Sequence, residues 1–392
     1  MTCKAWFLLV AVLALAETSW AQRTANWRVY KAADGLPESA CSSVTISPHG
    51  KIWVKHFTTE AVSGLDGYTV QSIPTSGAGN NRVYESPGGQ LWTAYEDGLQ
   101  EFKDGGWVRY PVREIAAESR ANALSLSHPI PLCPVRQGRV IFLLPGGLME
   151  FNAENPDLPR AAMLRPAVET KLEKFLGMVI ARDGGLWIAG AHGLAQVPGP
   201  ARTIKPETEW REYLPPESMQ IQNFQEPVED DDGGITVVAS SLDNRQKLVV
   251  HFDGQHWTMH PAGNEKIRMA WRGPDKRFWA ATFDSIFQLE EGRPDLTESE
   301  EISARQYFDL AVEPGGAFWL ATSDGLFRCA PRVWQIPNSL PKTSSPIHCL
   351  AEDKEGRLWF ASANALHTLQ ANQVIDHPFP PSLGESFQGI HA

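Results

Sequence analysis

Tyr95, His192, Arg268, Phe283, Tyr307 and His348 are the side chains of this chain best suited to hold a ligand. Aromatic faces stack on the apolar faces of sugar rings, a guanidinium grips a carboxylate as a bidentate fork, and an imidazole donates or accepts near neutral pH. Each of the six serves equally well as an ordinary packing residue of a loop. None sits in a local catalytic phrase, because the chain has no His-Glu-x-x-His, no nucleophile elbow and no phosphate-binding loop. The acidic run Glu229-Asp230-Asp231-Asp232 before Gly233-Gly234 lacks the alternating ligands of a calcium loop and reads as a solvated hairpin turn. No catalytic residue, metal or cofactor is therefore expected.

Ligand-holding residues so far apart in sequence must be gathered by an architecture that brings many loops to one place. Among the 392 residues are 14 Trp, 32 Gly and 29 Pro, a mixture that suits many short strands joined by tight turns. Forty-six acidic residues against 35 basic ones leave a formal charge of −11, which argues against a nucleic-acid-binding face. Cys41, Cys133, Cys329 and Cys349 match no metal or redox spacing and read as small buried hydrophobes, with their disulfide state left open.

One phrase recurs along the chain: an apolar run, a turn with Gly, an apolar residue, Trp, then Gly-Leu and a further apolar run. Its anchor is Trp53, Trp92, Ile141, Trp187, Thr236, Trp279, Trp319 and Trp359 in turn, at spacings of 39, 49, 46, 49, 43, 40 and 40 residues. Such a period is that of the four strands of a propeller blade. The expected fold is all-β, a β-propeller of seven to eight four-stranded blades, with the single eight-bladed ring slightly preferred. A second phrase, Trp-x-x-Tyr, marks the outer strand at Trp107/Tyr110 and Trp210/Tyr213, and as Trp257/His260. It also precedes the first unit, at Trp27/Tyr30, so a lone outer strand is expected to complete the last blade and close the ring. Loops after the Trp strands and loops between blades then share one mouth of a central channel, and the six candidates fall on them.

Ala33-Asp34-Gly35-Leu36-Pro37, the phrase Asp353-Lys-Glu-Gly356-Arg-Leu-Trp359 and the recurring Asp-Gly-Leu resemble the two-component regulator propeller repeats. These form the extracellular sensor region of bacterial hybrid histidine kinases and related regulators. The resemblance runs over nearly all of residues 23–392 and departs from the pattern at Ile141, Thr236 and Lys276. It implies a sensing role, with the kinase or other output module lying outside this chain.

Lys4, the apolar run Ala5 to Ala16, and Ser19-Trp20-Ala21 compose a secretory signal, with cleavage expected after Ala21. Residues 1–21 are thus read as signal peptide and 22–392 as propeller, exported to the periplasmic or extracellular side of a bacterial membrane. Gly389-Ile390-His391-Ala392 resembles the opening of a ninth inner strand, so the chain is expected to be a fragment of a longer receptor. Membrane contact is expected only through regions beyond residue 392. The expected function is sensing of a small-molecule or oligosaccharide ligand, with a receptor dimer as a possible assembly. The alternatives are a secreted propeller enzyme of the lyase kind, which needs His, Glu and a metal converging at one mouth, and a protein-interaction scaffold.

Overall fold

The computed structural model describes residues 27–379 except 68, 76–80, 122–128, 137, 154–160, 244, 263–264, 275, 290–295, 300–301, 331–348, 355–356, 363–364 and 371–372. The signal sequence, His348 and the last residues therefore lie outside the described residues.

Among the described residues, thirty-two strands form eight four-stranded antiparallel sheets. Strand β1 is Trp27–Tyr30. The first blade is β2 (Cys41–Ile46), β3 (Ile52–His56), β4 (Ala61–Asp66) and β5 (Thr69–Pro74), and the second is β6 (Val83–Glu85), β7 (Leu91–Tyr95), β8 (Gly98–Lys103) and β9 (Gly106–Pro111). Helix α1 (Arg113–Ala121) leads to the third blade, β10 (Leu132–Arg136), β11 (Arg139–Leu144), β12 (Gly147–Asn152) and β13 (Ala161–Pro166). The fourth is β14 (Phe175–Ile180), β15 (Leu186–Gly190), β16 (Leu194–Val197) and β17 (Arg211–Tyr213), and the fifth is β18 (Ile221–Glu229), β19 (Ile235–Ser241), β20 (Lys247–Phe252) and β21 (Trp257–Pro261). The sixth is β22 (Met269–Arg272), β23 (Phe278–Ala281), β24 (Ile286–Leu289) and β25 (Leu296–Glu298). The seventh has β26 (Tyr307–Val312), β27 (Phe318–Thr322) and β28 (Leu326–Cys329), and the last sheet is β29 (Cys349–Glu352), β30 (Leu358–Ala361), β31 (Ala365–Gln370) and β32 (Gln373–Pro378). Among the described residues no helix is long and apolar enough to cross a membrane.

Seven blades close the ring, one fewer than the eight-bladed ring preferred from the repeat count. Strand β1 pairs antiparallel with β28 and so supplies the outer strand of the seventh blade, not of the eighth. Its Trp27 meets Trp279 and Phe318 edge-on, and Tyr30 stacks on Trp319. Strand β2 of the first blade packs on β26 and β27 of the seventh, and Val44, Ile52 and Val54 share one core with Trp319, Ala321 and Leu326. The eighth sheet belongs to a second compact unit, residues 332–392.

Each hairpin between an inner strand and its Trp strand needs a left-handed residue three positions before the anchor. Glycine fills it at Gly50, Gly89, Gly138, Gly184, Gly233 and Gly316, with φ of 78, 84, 67, 80, 84 and 82°. The sixth blade has Lys276 there, held at φ 64° by its ammonium bridging Asp231 and Asp232. Its departure from the repeat phrase therefore leaves the turn intact at the cost of left-handed strain, about 1 kcal/mol.

The anchor tryptophans also obey a hydrogen-bonding rule. Six residues before Trp319 stands Glu313, and six before Trp359 stands Asp353; each accepts the indole N–H at 2.7 Å. The first blade has Ser47 at this place, and the Trp53 indole instead reaches Glu85 of the second blade at 2.7 Å. In the fourth blade the place is taken by Ala181, and the buried Trp187 indole lies near Glu229 of the fifth blade without forming a hydrogen bond. Blades two and six have neither acceptor, and the buried Trp92 and Trp279 indoles lack a partner. In the fifth blade the acid is present as Asp230 but the anchor is Thr236, and the buried Asp230 Oδ2 accepts no hydrogen bond, with His251 at 3.6 Å and Arg272 at 3.7 Å.

Candidate functional site

The inner strands of the ring line a channel that holds a cavity of about 950 Å³. Its wall is built from equivalent positions of the repeats. Ten residues before the anchors stand Ser43, Arg82, Pro131, Gly177, Glu226, Met269 and Asp309. In blades one, four and seven the strand register slips just before this position, between Cys41 and Ser43, Phe175 and Gly177, and Tyr307 and Asp309. A bulge of this kind bends the strand locally. Gly177 is required by crowding, since a Cβ there would lie 2.7 Å from Pro227 Cδ.

Three of these equivalent positions are charged and meet. Arg82 donates from Nε to Asp309 at 2.9 and 3.1 Å, and from Nη2 to Asp309 at 2.5 Å and Glu226 at 3.3 Å. Asp309 also accepts the Val44 N–H at 2.9 Å, so one carboxylate ties blades one, two and seven. Burial alone would lower the Arg82 guanidinium, but the Asp309 charge, with Tyr84 and Glu226, outweighs it and holds the group well above its ordinary value. Burial raises the neighbouring Tyr84 phenol, with Arg82 opposing. Glu226 adopts a left-handed backbone, φ 47°, within the bulged β18. Strain at a non-glycine residue persists only where its surroundings over-determine it, and it concentrates at functional sites.

The end of the channel at the hairpin turns carries Glu85, Glu229 and Glu313. Burial pushes the Glu229 carboxyl up, against the Arg182 N–H and charge and the Trp187 indole. Arg182 reaches the Asp231 carbonyl at 2.5 Å and the Pro314 carbonyl, spanning blades four, five and seven. At the other end stand Tyr95, Glu96, Lys174 and, from α1, Glu118 and Ser119. Helix α1 is anchored there by Val112 and Ile115, both buried. An apolar band of Ile46, Leu144, Met178, Ile180, Leu310 and Val312 lies on the wall between.

Of the expected ligand residues the structure brings together Arg268, Phe283 and Tyr307, the Phe283 carbonyl accepting the Tyr307 N–H at 2.8 Å, and leaves Tyr95 and His192 on other blades. Tyr95 lines the channel, with the Arg109 guanidinium 5.5 Å from its ring centroid and its phenol raised by burial and by Asp97. Arg268 and Phe283 meet as a cation–π pair at 5.6 Å, and Phe283 continues through Phe308 to Phe57 as a row of aromatics at 5.5 and 4.5 Å. His192 bonds Glu173 at 3.1 Å, both side chains being exposed. Tyr307 is buried and accepts the Ala304 N–H, a core residue of the seventh blade. His348 is outside the described residues. Arg82, Asp309 and Glu226 were not among the expected residues, although the repeat alignment holds their signal: charged residues at one equivalent position of strands that should be apolar.

Two other constellations are accounted for by structure. Asp230, Asp231 and Asp232 bring carboxylate oxygens within 4.8 Å of one another. Asp231 and Asp232 are matched by Lys276 and Arg272, at 2.5 to 2.8 Å, and Asp230 Oδ1 holds the turn by accepting the Asp232 and Gly234 N–H groups. Of the run expected to be solvated, Asp230 is thus a buried exception. Ser362, His367 and Asp376 form a chain of hydrogen bonds at 2.9 and 2.7 Å. Ser362 is 5% exposed and stands where Thr282 and Thr322 stand in blades six and seven, hydroxyls that bond their own turns. Its Oγ likewise reaches the Ala365 carbonyl at 3.3 Å, so it is a turn-holding group.

Residues 341–364 match the family described as two component regulator propeller, and the chain thus carries a repeat of that family at its eighth unit, as the phrases of the sequence suggested. A comparison with curated proteins finds no match. Among solved structures, virginiamycin B lyase from Staphylococcus aureus is similar at 12% identity and TM-score 0.51, covering 77% of this chain and 97% of that one. A streptogramin B lyase is similar at 14% identity and TM-score 0.50, over 77% and 96%. The extracellular domain of a candidate one component system from B. thetaiotaomicron is similar at 14% identity and TM-score 0.48, over 92% of this chain and 48% of that one, so the chain spans about half its length. At these identities the likeness concerns the fold.

Proposed function

We propose that this β-propeller, with its two component regulator propeller repeat, is the exported ligand-sensing part of a signalling receptor and performs no catalysis of its own. The observation that carries the reading is the channel cavity, whose size suits a small molecule and whose wall carries a charged residue with left-handed backbone, Glu226, beside Arg82. The family repeat at 341–364 supports the receptor context. A lyase reading needs an imidazole or metal set in the channel, and no described lining residue is His or Cys.

The test is a thermal-shift screen of oligosaccharides and small metabolites against the full chain and against Leu310→Trp, which fills the channel wall. A ligand at about 100 times its Kd stabilises the folded state by about 2.7 kcal/mol. A shift in the wild type that is lost in Leu310→Trp supports the reading. Shifts that survive the substitution, or none across the panel, refute it. Export is tested separately: the secreted protein should begin at Gln22, and recovery of Met1 outside the cytoplasm would refute cleavage.

A further inference from the structure

The charge of the channel wall selects among ligands. Its lining carries six glutamates against two arginines and one lysine. Arg82 is already matched by the Asp309 carboxylate, a charge outside that tally, and Arg182 spends its guanidinium on backbone carbonyls. The two arginines are thus spoken for by the protein, and Lys174 stands at the other end of the lining. Glu313 is matched by the Arg328 guanidinium at 3.1 and 3.3 Å besides the Trp319 indole, whereas Glu85 receives one indole N–H and Glu229 the Arg182 backbone N–H at 2.7 Å. A carboxylate or phosphate entering here would meet an excess of like charge in a partly desolvated space, where Coulomb interactions are strong. The wall between the two charged ends is apolar, contributed by side chains such as Leu144, Met178, Leu310 and Val312. A ligand matching both parts has an apolar body and a positively charged end.

We propose that the channel binds an organic cation, an ammonium or guanidinium group on an apolar body, with the cationic end at Glu85 and Glu229. This rests on the reading of the channel as the ligand site and adds the class of ligand. An anion-gripping role, which the arginines of the chain would otherwise suggest, is disfavoured because Arg82 is paired with Asp309 and Glu226 and Arg268, outside the lining, stacks on Phe283.

Three near-isosteric probes test it on the full chain: phenethylamine, 2-phenylethanol and 3-phenylpropionate, with affinities from calorimetry or ligand-observed NMR. The amine is expected to bind at least tenfold more tightly than either other probe, to weaken with added salt, and to lose most of that preference in Glu229→Gln and Glu85→Gln. Unfolding curves on both variants show whether they remain folded. If the alcohol or the carboxylate binds as well as the amine, and Leu310→Trp abolishes binding, the cation inference is overturned and the channel reading stands. If no probe binds, or binding survives Leu310→Trp, the channel reading fails and the inference with it.

Discussion

Replacing Ser86 by Asp should stabilise the ring by giving the buried Trp92 indole the acceptor it lacks. In the eighth unit, Asp353 uses Oδ1 for the Arg357 N–H four residues on, at 2.9 Å, and Oδ2 for the Trp359 indole, at 2.7 Å. The same four-residue turn bond is made by Ser47 to the Lys51 N–H, by Asp230 to the Gly234 N–H, and by Ser86 to the Gln90 N–H. An Asp at 86 can therefore keep the turn with one oxygen and present the other to Trp92, six residues on. A hydrogen bond to a charged acceptor contributes about 1.5–3 kcal/mol, from which burying the carboxylate beside Glu85 subtracts, leaving a net gain of about 1 kcal/mol. In a ring of this size that raises Tm by roughly 1.5–2 °C.

The pair itself is isolated by a double-mutant cycle with Trp92→Phe, which removes the N–H and keeps most of the ring. The expected coupling is about 1.5–3 kcal/mol, read from chemical denaturation of the four proteins. A coupling below about 0.5 kcal/mol would refute the rule that an acid six residues before the anchor satisfies the indole. A Tm gain that persists in the Trp92→Phe background would refute it too, because the gain would then come from the turn alone.

Trp319→Ala should cost about 3–5 kcal/mol, since the ring is buried, stacks on Tyr30 and bonds Glu313; a loss under about 0.5 kcal/mol by denaturant unfolding would contradict the closure of blade seven by β1. Asp309→Asn should cost about 3–5 kcal/mol by leaving Arg82 with Glu226 alone, and the double variant Arg82→Met, Asp309→Leu should be less destabilised than the single one. Equal losses would show that the pair does not act as a unit. Burial pushes the Lys55 ammonium down to about 8 from 10.5, so between these pH values the unfolded chain binds the additional proton. The Lys55 contribution to stability therefore rises with pH through that window and is at its most unfavourable below it. Subtracting the pH profile of Lys55→Met from that of the wild type should leave this rise, and a flat difference would place the ammonium in water.

The strands and their order within a blade were legible in the sequence because each blade is a local object: the Gly three residues before the anchor, the buried Trp and the Trp-x-x-Tyr of the outer strand are chosen by contacts within some forty residues. The same phrases marked Trp27/Tyr30 as an outer strand in search of a blade. The repeat order pointed it to the last of eight blades, but that phrase fits the edge of any of them. The tertiary structure decided for the seventh, where β28 offers an open edge and Trp27 finds Trp279 and Phe318. The site was less readable still. Tyr95 falls on the channel lining, but Arg82, Glu226 and Asp309 have meaning only as a group, and up to 227 residues of chain separate them. Sequence alone determined that each occupies the same place in its repeat. Only closure into a ring of seven, which turns that one place from every blade toward a common axis, brings the charges within hydrogen-bonding distance and makes a channel of them.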